Sequence, residues 1–359
     1  MTARTSVVTL TPLLGFPEVR RGDDLVELVL KALQDNRIEL DDGDILVVSS
    51  KIASKAMGLS APLAERDDMV VSQTVRVVAE RITPLGITSI VETVAGPVMA
   101  AAGVDASNTA DDSIVLVLPD DPDAVAAGIR VGVRTKWEDR SGGHLRLGVV
   151  LSDTAGRPWR IGQVDFALGA AGIQVVDDLR GSTDADGRLL WVTERCVADE
   201  IAAAADLVKG KATGVPVAHI RGLGQYVDDG ESTSDAKTSS ARDLVRTGPG
   251  DWFSLGQAEA VRAALGVAPG TAEAAGVGIP SMNAETVAVK ASRALRVALL
   301  ACPDASGQVD GDTVRITAPD DFTLGVAVTR AEVALRGEGL ATTLTRGDRT
   351  QPSAVIGFH

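Results

Sequence analysis

The run Ile45-Leu46-Val47-Val48 constrains the fold more than any other feature of this chain. It is too short for a helix, rich in β-branched residues, and closed in front by the turn Asp41-Asp42-Gly43-Asp44, so it predicts a buried strand. Ahead of it, Leu25, Leu28, Val29, Ala32 and Leu33 recur at i, i+3, i+4, i+7 and i+8 behind the turn Gly22-Asp23-Asp24. That spacing is one apolar face of a helix with an acidic cap. Residues 7–10 read as a further short strand. The order strand, helix, strand brings Ser49, Ser50, Lys51 and Lys55 to the C-terminal end of the buried strand.

The same alternation continues. Residues 67–81 carry a helical pattern, 87–92 a strand running into Gly96-Pro97, and 103–108 a polar cluster. A strand over 114–118, a helix over 122–135 and a strand over 147–151 follow, the last ending in a polar turn, Ser152-Asp153-Thr154-Ala155-Gly156-Arg157. Beyond lie an extended segment at 174–177, a strand over 189–193, an alanine-rich helix over 198–207 and a strand over 215–220. Between 228 and 247 the composition shifts to Asp, Ser, Thr and Gly, and Gly248-Pro249-Gly250 punctuates it, so a domain boundary is expected there. Residues 251–359 show helical patterns near 254–265, 283–300 and 323–344. The expectation is an α+β protein of mixed sheets and helices over residues 1–247, with a smaller, mostly helical α/β region over 251–359.

Charge and composition exclude several classes of function. A chain of 359 residues is a soft prior for two domains. With 35 Lys and Arg against 49 Asp and Glu, the net charge of −14 argues against nucleic acid as a partner, because phosphate backbones require clustered cations. Hydrophobic residues make up 45% and aromatic residues only 3%, so the core must be built from Ala, Val, Leu and Ile. Cys196 and Cys302 form neither a disulfide framework nor a CxxC pair. There is no signal-peptide pattern and no run near the roughly 20 apolar residues of a membrane span. A soluble cytoplasmic protein without a membrane partner is expected.

The polar clusters hold the candidate chemistry. Asp105 and Asp153 each follow an expected strand, and carboxylates on rigid strand ends suit Mg²⁺ or Mn²⁺, with the Thr154 hydroxyl as an added oxygen. An acid in such a turn also serves simply to stabilise the turn. Ser50, Lys51 and Lys55 on one side, and Arg157 and Arg160 on the other, are placed to hold a polyanion between them. The two arginines are the catalytic candidates, as phosphate or carboxylate clamps, and Trp159 between them reads as a packing residue. Residues 208–214, Val-Lys-Gly-Lys-Ala-Thr-Gly, offer glycine amides and two lysines to phosphate oxygens. No Walker loop or dinucleotide fingerprint is present. His144, His219 and His359 are scattered, His219 in an apolar strand as a structural residue, and neither cysteine has an activating histidine nearby in sequence.

These segments together resemble a known family. Gly15-Phe16-Pro17-Glu18, Gly43-Asp44-Ile45-Leu46-Val47-Val48-Ser49-Ser50-Lys51, Ala102-Gly103-Val104-Asp105-Ala106-Ser107-Asn108, Ser152-Asp153-Thr154-Ala155-Gly156-Arg157-Pro158-Trp159-Arg160, Gly162-Gln163-Val164-Asp165 and the stretch from Val197 to Lys211 occur in order within residues 7–224. They are similar to the coenzyme F420-0:L-glutamate ligases, the gamma-glutamyl ligases of deazaflavin cofactor biosynthesis.

The resemblance implies an α+β homodimer that uses GTP and a divalent metal to join L-glutamate to F420-0 and then to add gamma-linked glutamates. It implies that Asp105, Asp153 and Thr154 bind Mg²⁺ or Mn²⁺, with K⁺ as a further candidate ion. It also implies that Phe16, Pro17, Glu18, Val19, Ser50, Lys55 and Asn108, with Lys209, Gly210 and Lys211 of the 209–215 segment, contact GTP. Many actinobacterial relatives carry a fused nitroreductase-like flavin domain, and Asp251-Trp252-Phe253-Ser254-Leu255-Gly256 resembles that junction. The residues that follow are too few for a complete flavin domain, so 251–359 is expected to serve packing or dimerisation, or to be a shortened nitroreductase-like relic. The alternatives to the ligase are a non-catalytic GTP- or F420-binding module and a bifunctional enzyme that also reduces dehydro-F420 with flavin.

Overall fold

A computed structural model describes residues 7–84, 86–107, 109, 113–228, 240–248, 251–347 and 351–359. In chain order these form β1 (Thr9–Pro12), α1 (Leu25–Asp35), β2 (Asp44–Ser49), α2 (Ser50–Met57), β3 (Ser60–Pro62), α3 (Arg66–Ser72), β4 (Thr74–Thr83), β5 (Gly86–Thr93), β6 (Val98–Ala100), β7 (Ile114–Leu116), α4 (Pro122–Ser141), β8 (Leu147–Arg157) and β9 (Arg160–Ala171). Next come β10 (Val176–Asp178), β11 (Glu194–Cys196), α5 (Val197–Lys209) and β12 (Val217–Arg221). The last part holds α6 (Gln257–Ala264), α7 (Ala272–Val277), α8 (Val287–Leu299), β13 (Ser306–Asp310), β14 (Thr313–Thr317), α9 (Asp321–Gly337), β15 (Thr342–Arg346) and β16 (Ser353–Phe358). The mixture of helices and sheets is the expected α+β class.

The chain divides into two compact units, Met1–Thr74 with Thr93–Arg246, and Val75–Glu92 with Thr247–His359. The second unit thus takes up an excursion from the first part of the chain as well as the residues after the 228–247 segment.

In the first unit a five-stranded sheet runs β1-β12-β2-β8-β9. Only β2 and β8 are parallel, with Asp44 opposite Leu147 and Ser49 opposite Ser152. Ile45, Leu46, Val47 and Val48 are all inaccessible to solvent, because the sheet is covered on both faces. Leu46, Val48, Val149 and Leu151 meet Val29 and Leu33 of α1 and Ile129 and Val133 of α4. Ile45, Val47 and Val150 meet Ala198, Ile201, Ala202 and Ala205 of α5. The alanines let α5 lie close to the sheet, which is how a core so poor in aromatics is filled. Asp24 caps α1 as expected, accepting hydrogen bonds from Val26 N at 2.9 Å and Glu27 N at 3.2 Å. At Gly169, a Cβ would lie 2.3 Å from the Pro122 carbonyl oxygen, so β9 passes the start of α4 at a distance only glycine permits.

Several elements differ from the sequence expectation. Of the helical stretch 67–81, α3 covers only its first part, and the β-branched run from Thr74 onward forms β4. The polar segment after Leu151 is not a turn: β8 continues to Arg157 and pairs with β9, with Asp153 opposite Phe166 and Thr154 opposite Asp165. Ser152 and Thr154 bond to Asp165 across the pair, so polarity does not end the strand. The strand expected at 189–193 lies instead at β11.

The second unit contains the antiparallel sheet β13-β14-β16-β15. Val314, Ile316 and Ile356 of that sheet pack with Ala294 and Val297 of α8 and Val328 and Leu335 of α9. Helical patterning alone did not announce these four short strands. Residues 75–92 are sewn to residues after 251 by backbone bonds, including Gly256 N to Val78 O at 2.9 Å and Ile82 N to Pro280 O at 2.9 Å. No helix among the described residues is long and apolar enough to cross a membrane.

Candidate active site

The parallel pairing of β2 with β8 ends at Ser49 opposite Ser152, and the crevice beyond the carboxyl ends of parallel strands is where α/β sheets commonly take ligands. A cavity of ≈ 430 Å³ opens there. Most of its walls come from four segments, with Thr109 added from the stretch before β7. The loop after β1 contributes Phe16, Pro17, Glu18 and Val19, and α2 contributes Lys51 and Lys55. The β8–β9 hairpin contributes Ser152, Asp153, Thr154 and Asp165, and the C-terminal end of α5 with the following loop contributes Asp206, Lys209, Gly210 and Lys211.

Each lysine has an acidic or hydroxyl partner. Lys51 Nζ lies 2.6 Å from Asp105 Oδ2, and Lys55 Nζ lies 2.6 Å from Glu18 Oε1. Lys209, buried, donates to Asp165 Oδ2 at 2.8 Å and to Ser152 Oγ at 2.7 Å. Lys211 donates to Thr154 Oγ1 at 2.6 Å. Burial tends to raise the Asp105 carboxyl, but the Lys51 ammonium and the Ser107 amide and hydroxyl outweigh it and hold Asp105 below the usual carboxylate range. In the same way, Lys209, with the hydroxyls of Thr154 and Ser152, holds Asp165 low against the effect of burial.

Asp153 is the exception. Burial, with a smaller contribution from the Asp165 charge, pushes its carboxyl up to about 6. The Thr154 amide, the Ser50 hydroxyl and the Lys51 charge oppose this shift without overcoming it. The Ser50 hydroxyl is itself buried and lacks a hydrogen-bond partner of proper geometry. An undercompensated carboxylate beside an orphaned buried oxygen is a place where a cation lowers the energy.

The residues fit a hard divalent cation. Asp105, Asp153 and Thr154 offer only oxygen atoms, the donor type that Mg²⁺ and Mn²⁺ prefer. No group of three His, Cys, Asp or Glu side chains stands at metal-holding distance among the described residues. A set of two carboxylates and a hydroxyl suits an ion that fills its remaining positions with water and phosphate oxygens.

Of the candidate site residues named from sequence, Phe16, Pro17, Glu18, Val19, Lys51, Lys55, Asp153, Thr154, Lys209, Gly210 and Lys211 line the cavity. Asp105 adjoins it through Lys51, and Ser50 lies buried behind Asp153. Asn108 falls outside the described residues. Arg157 and Arg160 are exposed at the hairpin turn and do not line the cavity. Trp159 between them is 83% exposed, with a positive φ of 58°, rather than packed. Ser152, Asp165 and Asp206 were not singled out from sequence. Asp165 closes one of the recognised motifs, but its place opposite Thr154 follows only from the β8–β9 register. His219 pairs with Asp44 at 2.7 Å within the buried sheet, and burial followed by the Asp199 charge pushes the Cys196 thiol up to about 12.

Fold and site together define an α+β protein with a lysine-walled, oxygen-rich cavity at the ends of two parallel strands. The family model described as F420-0:Gamma-glutamyl ligase matches residues 14–222, more than half of the chain. The chain belongs to this ligase family. Among its relatives, a coenzyme F420:L-glutamate ligase of Methanothermobacter thermautotrophicus is 40% identical over 231 residues, covering 60% of this chain and 89% of the relative. Proteins of the same name from Halobacterium salinarum and Halorubrum lacusprofundi are 37% and 36% identical over 228 residues, each covering 58% of this chain and 84% of the relative.

Proposed function

We propose that this protein is a GTP-dependent ligase that joins L-glutamate to F420-0 and then adds further glutamates through gamma-linkages. Support comes from the family membership and, in the site, from one observation above the others: the undercompensated Asp153 carboxylate faces a cavity walled by four lysines. A polyanion with a divalent cation answers both features at once.

The reaction follows from carboxylate chemistry. A carboxylate of F420-0 attacks the γ-phosphorus of GTP, the bond from that phosphorus to the bridging oxygen breaks, and GDP leaves with the electron pair. The product is an acyl phosphate. The α-amino group of glutamate, as the free amine, attacks the acyl carbon, inorganic phosphate leaves, and the amine proton passes to solvent, forming the amide. Phosphoryl transfer of this kind depends on positioning and charge neutralisation more than on a protein nucleophile. Lys51, Lys55, Lys209 and Lys211 neutralise phosphate charge, and the glycine at 210 lets backbone approach it closely. Mg²⁺ or Mn²⁺ held by Asp105, Asp153 and Thr154 supplies the remaining charge neutralisation. Ser50 and the loop 16–19 complete the nucleotide contacts in this reading, and homodimerisation belongs to it as well.

Incubation of the full chain with F420-0, GTP, Mg²⁺ or Mn²⁺ and L-glutamate, followed by mass spectrometry of the deazaflavin, tests the proposal. A GTP-requiring ladder of glutamyl additions is the expected result. An unchanged deazaflavin mass with GTP still bound would reassign the chain as a nucleotide-binding module.

A further inference from the structure

Five side chains of the cavity form one directed hydrogen-bond chain that converges on Asp165. Lys209 Nζ donates to Asp165 Oδ2 at 2.8 Å and Ser152 Oγ donates to the same oxygen at 2.9 Å. Thr154 Oγ1 donates to Asp165 Oδ1 at 2.5 Å, and Lys211 Nζ donates to Thr154 Oγ1 at 2.6 Å. Asp165 is 4% exposed and Ser152 is 1% exposed, so water does not compete freely for the bonds at the carboxylate, whereas the Lys211–Thr154 bond is the exposed end of the network.

The direction of the chain carries a consequence. A hydroxyl has one hydrogen and two acceptor lone pairs, and an ionised carboxylate only accepts. With its single hydrogen committed to Asp165, the Thr154 hydroxyl meets every other group as an acceptor. It therefore receives an ammonium hydrogen from Lys211 and has no hydrogen to offer a phosphate oxygen. Lys211 sits on an exposed loop after α5, and this bond ties its ammonium to the cavity wall.

We propose that Asp165 is a positioning residue: by fixing the polarity of the Thr154 hydroxyl, it seats the Lys211 ammonium at the cavity wall where a polyphosphate chain binds. The inference deepens the ligase reading above and rests on it for the identity of the polyphosphate. The same-chain partner Lys209 gives Asp165 a second task, compensation of a buried ammonium, so a simple substitution of Asp165 confounds the two.

Binding of inorganic tripolyphosphate, followed by calorimetry, separates them. Asp165→Asn is made together with Lys209→Met, which leaves neither a buried ammonium nor a buried carboxylate unpaired, and Lys211→Met is compared in the parent and in that pair. Lys211→Met is expected to weaken binding about tenfold in the parent, the size of one charge-assisted hydrogen bond, and less than about twofold in the pair. Should the Asp165→Asn/Lys209→Met chain fail to fold, Thr154→Val cuts the same link with Lys209 and Asp165 intact, and Lys211→Met is expected to add as little to it. A tenfold loss on Lys211→Met in all of these settings, or none in the parent, would overturn the proposal. Because the probe carries no nucleoside and no turnover is read, failure of the glutamyl ladder and failure of this coupling are separate results.

Discussion

Asp153 and Asp44 are both carboxylates removed from bulk water, and their neighbours send them in opposite directions. Asp44 is 1% exposed; burial raises it, but hydrogen bonds from Arg221 and His219 bring it down to about 2. Its contribution to stability is therefore complete above the unfolded value near 3.8 and is lost as the pH falls toward about 2. Asp44→Asn is expected to lower stability by about 2 kcal/mol at neutral pH, and to flatten the decline that the parent shows between pH 4 and 2. Urea unfolding across that range measures both. Asp153 has burial without an adequate counter-charge, so Asp153→Asn is expected to raise the stability of the metal-free protein, by about 1 kcal/mol, while abolishing glutamyl transfer. A thermal melt and the mass-spectrometric assay read the two effects separately. A variant that melts higher and still turns over would remove Asp153 from the metal site.

At the scale of elements, the legible parts are those whose side chains are uniform in kind. The apolar run of β2 and the stripe of α1 are plain in the sequence, because burial on two faces or on one leaves a period that residue type alone reveals. The β8–β9 hairpin is the opposite case. Its second half is polar, and it stays a strand because Thr154 and Asp165, eleven residues apart in sequence and opposite one another in the folded register, satisfy one another across it. The acids and lysines of the site were therefore recognisable as motif residues, whereas Asp165 as the point of convergence was not. Arg157 and Arg160, on either side of the hairpin turn, are exposed and are not among the lining residues. Arg157→Ala and Arg160→Ala, singly and together, are expected to leave the affinity for GTP with Mg²⁺ within about twofold of the parent, as surface substitutions usually do. Calorimetry decides this, and a loss of tenfold or more would return the arginines to the nucleotide site.

For the whole molecule, the compositional break after residue 228 marks one crossing between the compact units, but no break in composition marks the excursion at 75–92. That excursion is legible only through its partners. Val78 O, Ile82 N and Ile82 O bond to Gly256, Pro280 and Met282, and Arg81 pairs with Glu259 at 2.5 Å. A chain cut after residue 247 strands these groups, leaving unpaired strand edges and the half-buried apolar side chains between them, which favours association between copies. The ends of the excursion are adjacent in the first unit, since Val94 N donates to Gln73 O at 3.1 Å. A short Gly-Ser linker therefore replaces 75–92 at little cost in loop-closure entropy. Residues 1–247 with that replacement are expected to be soluble, to melt cooperatively and to bind GTP, whereas residues 1–247 with 75–92 retained are expected to aggregate. Size-exclusion chromatography and thermal melts compare the two. Equal solubility and equal cooperativity of both chains would mean that 75–92 folds without the residues after 247, and that the single boundary drawn from composition describes the molecule better than the discontinuous one.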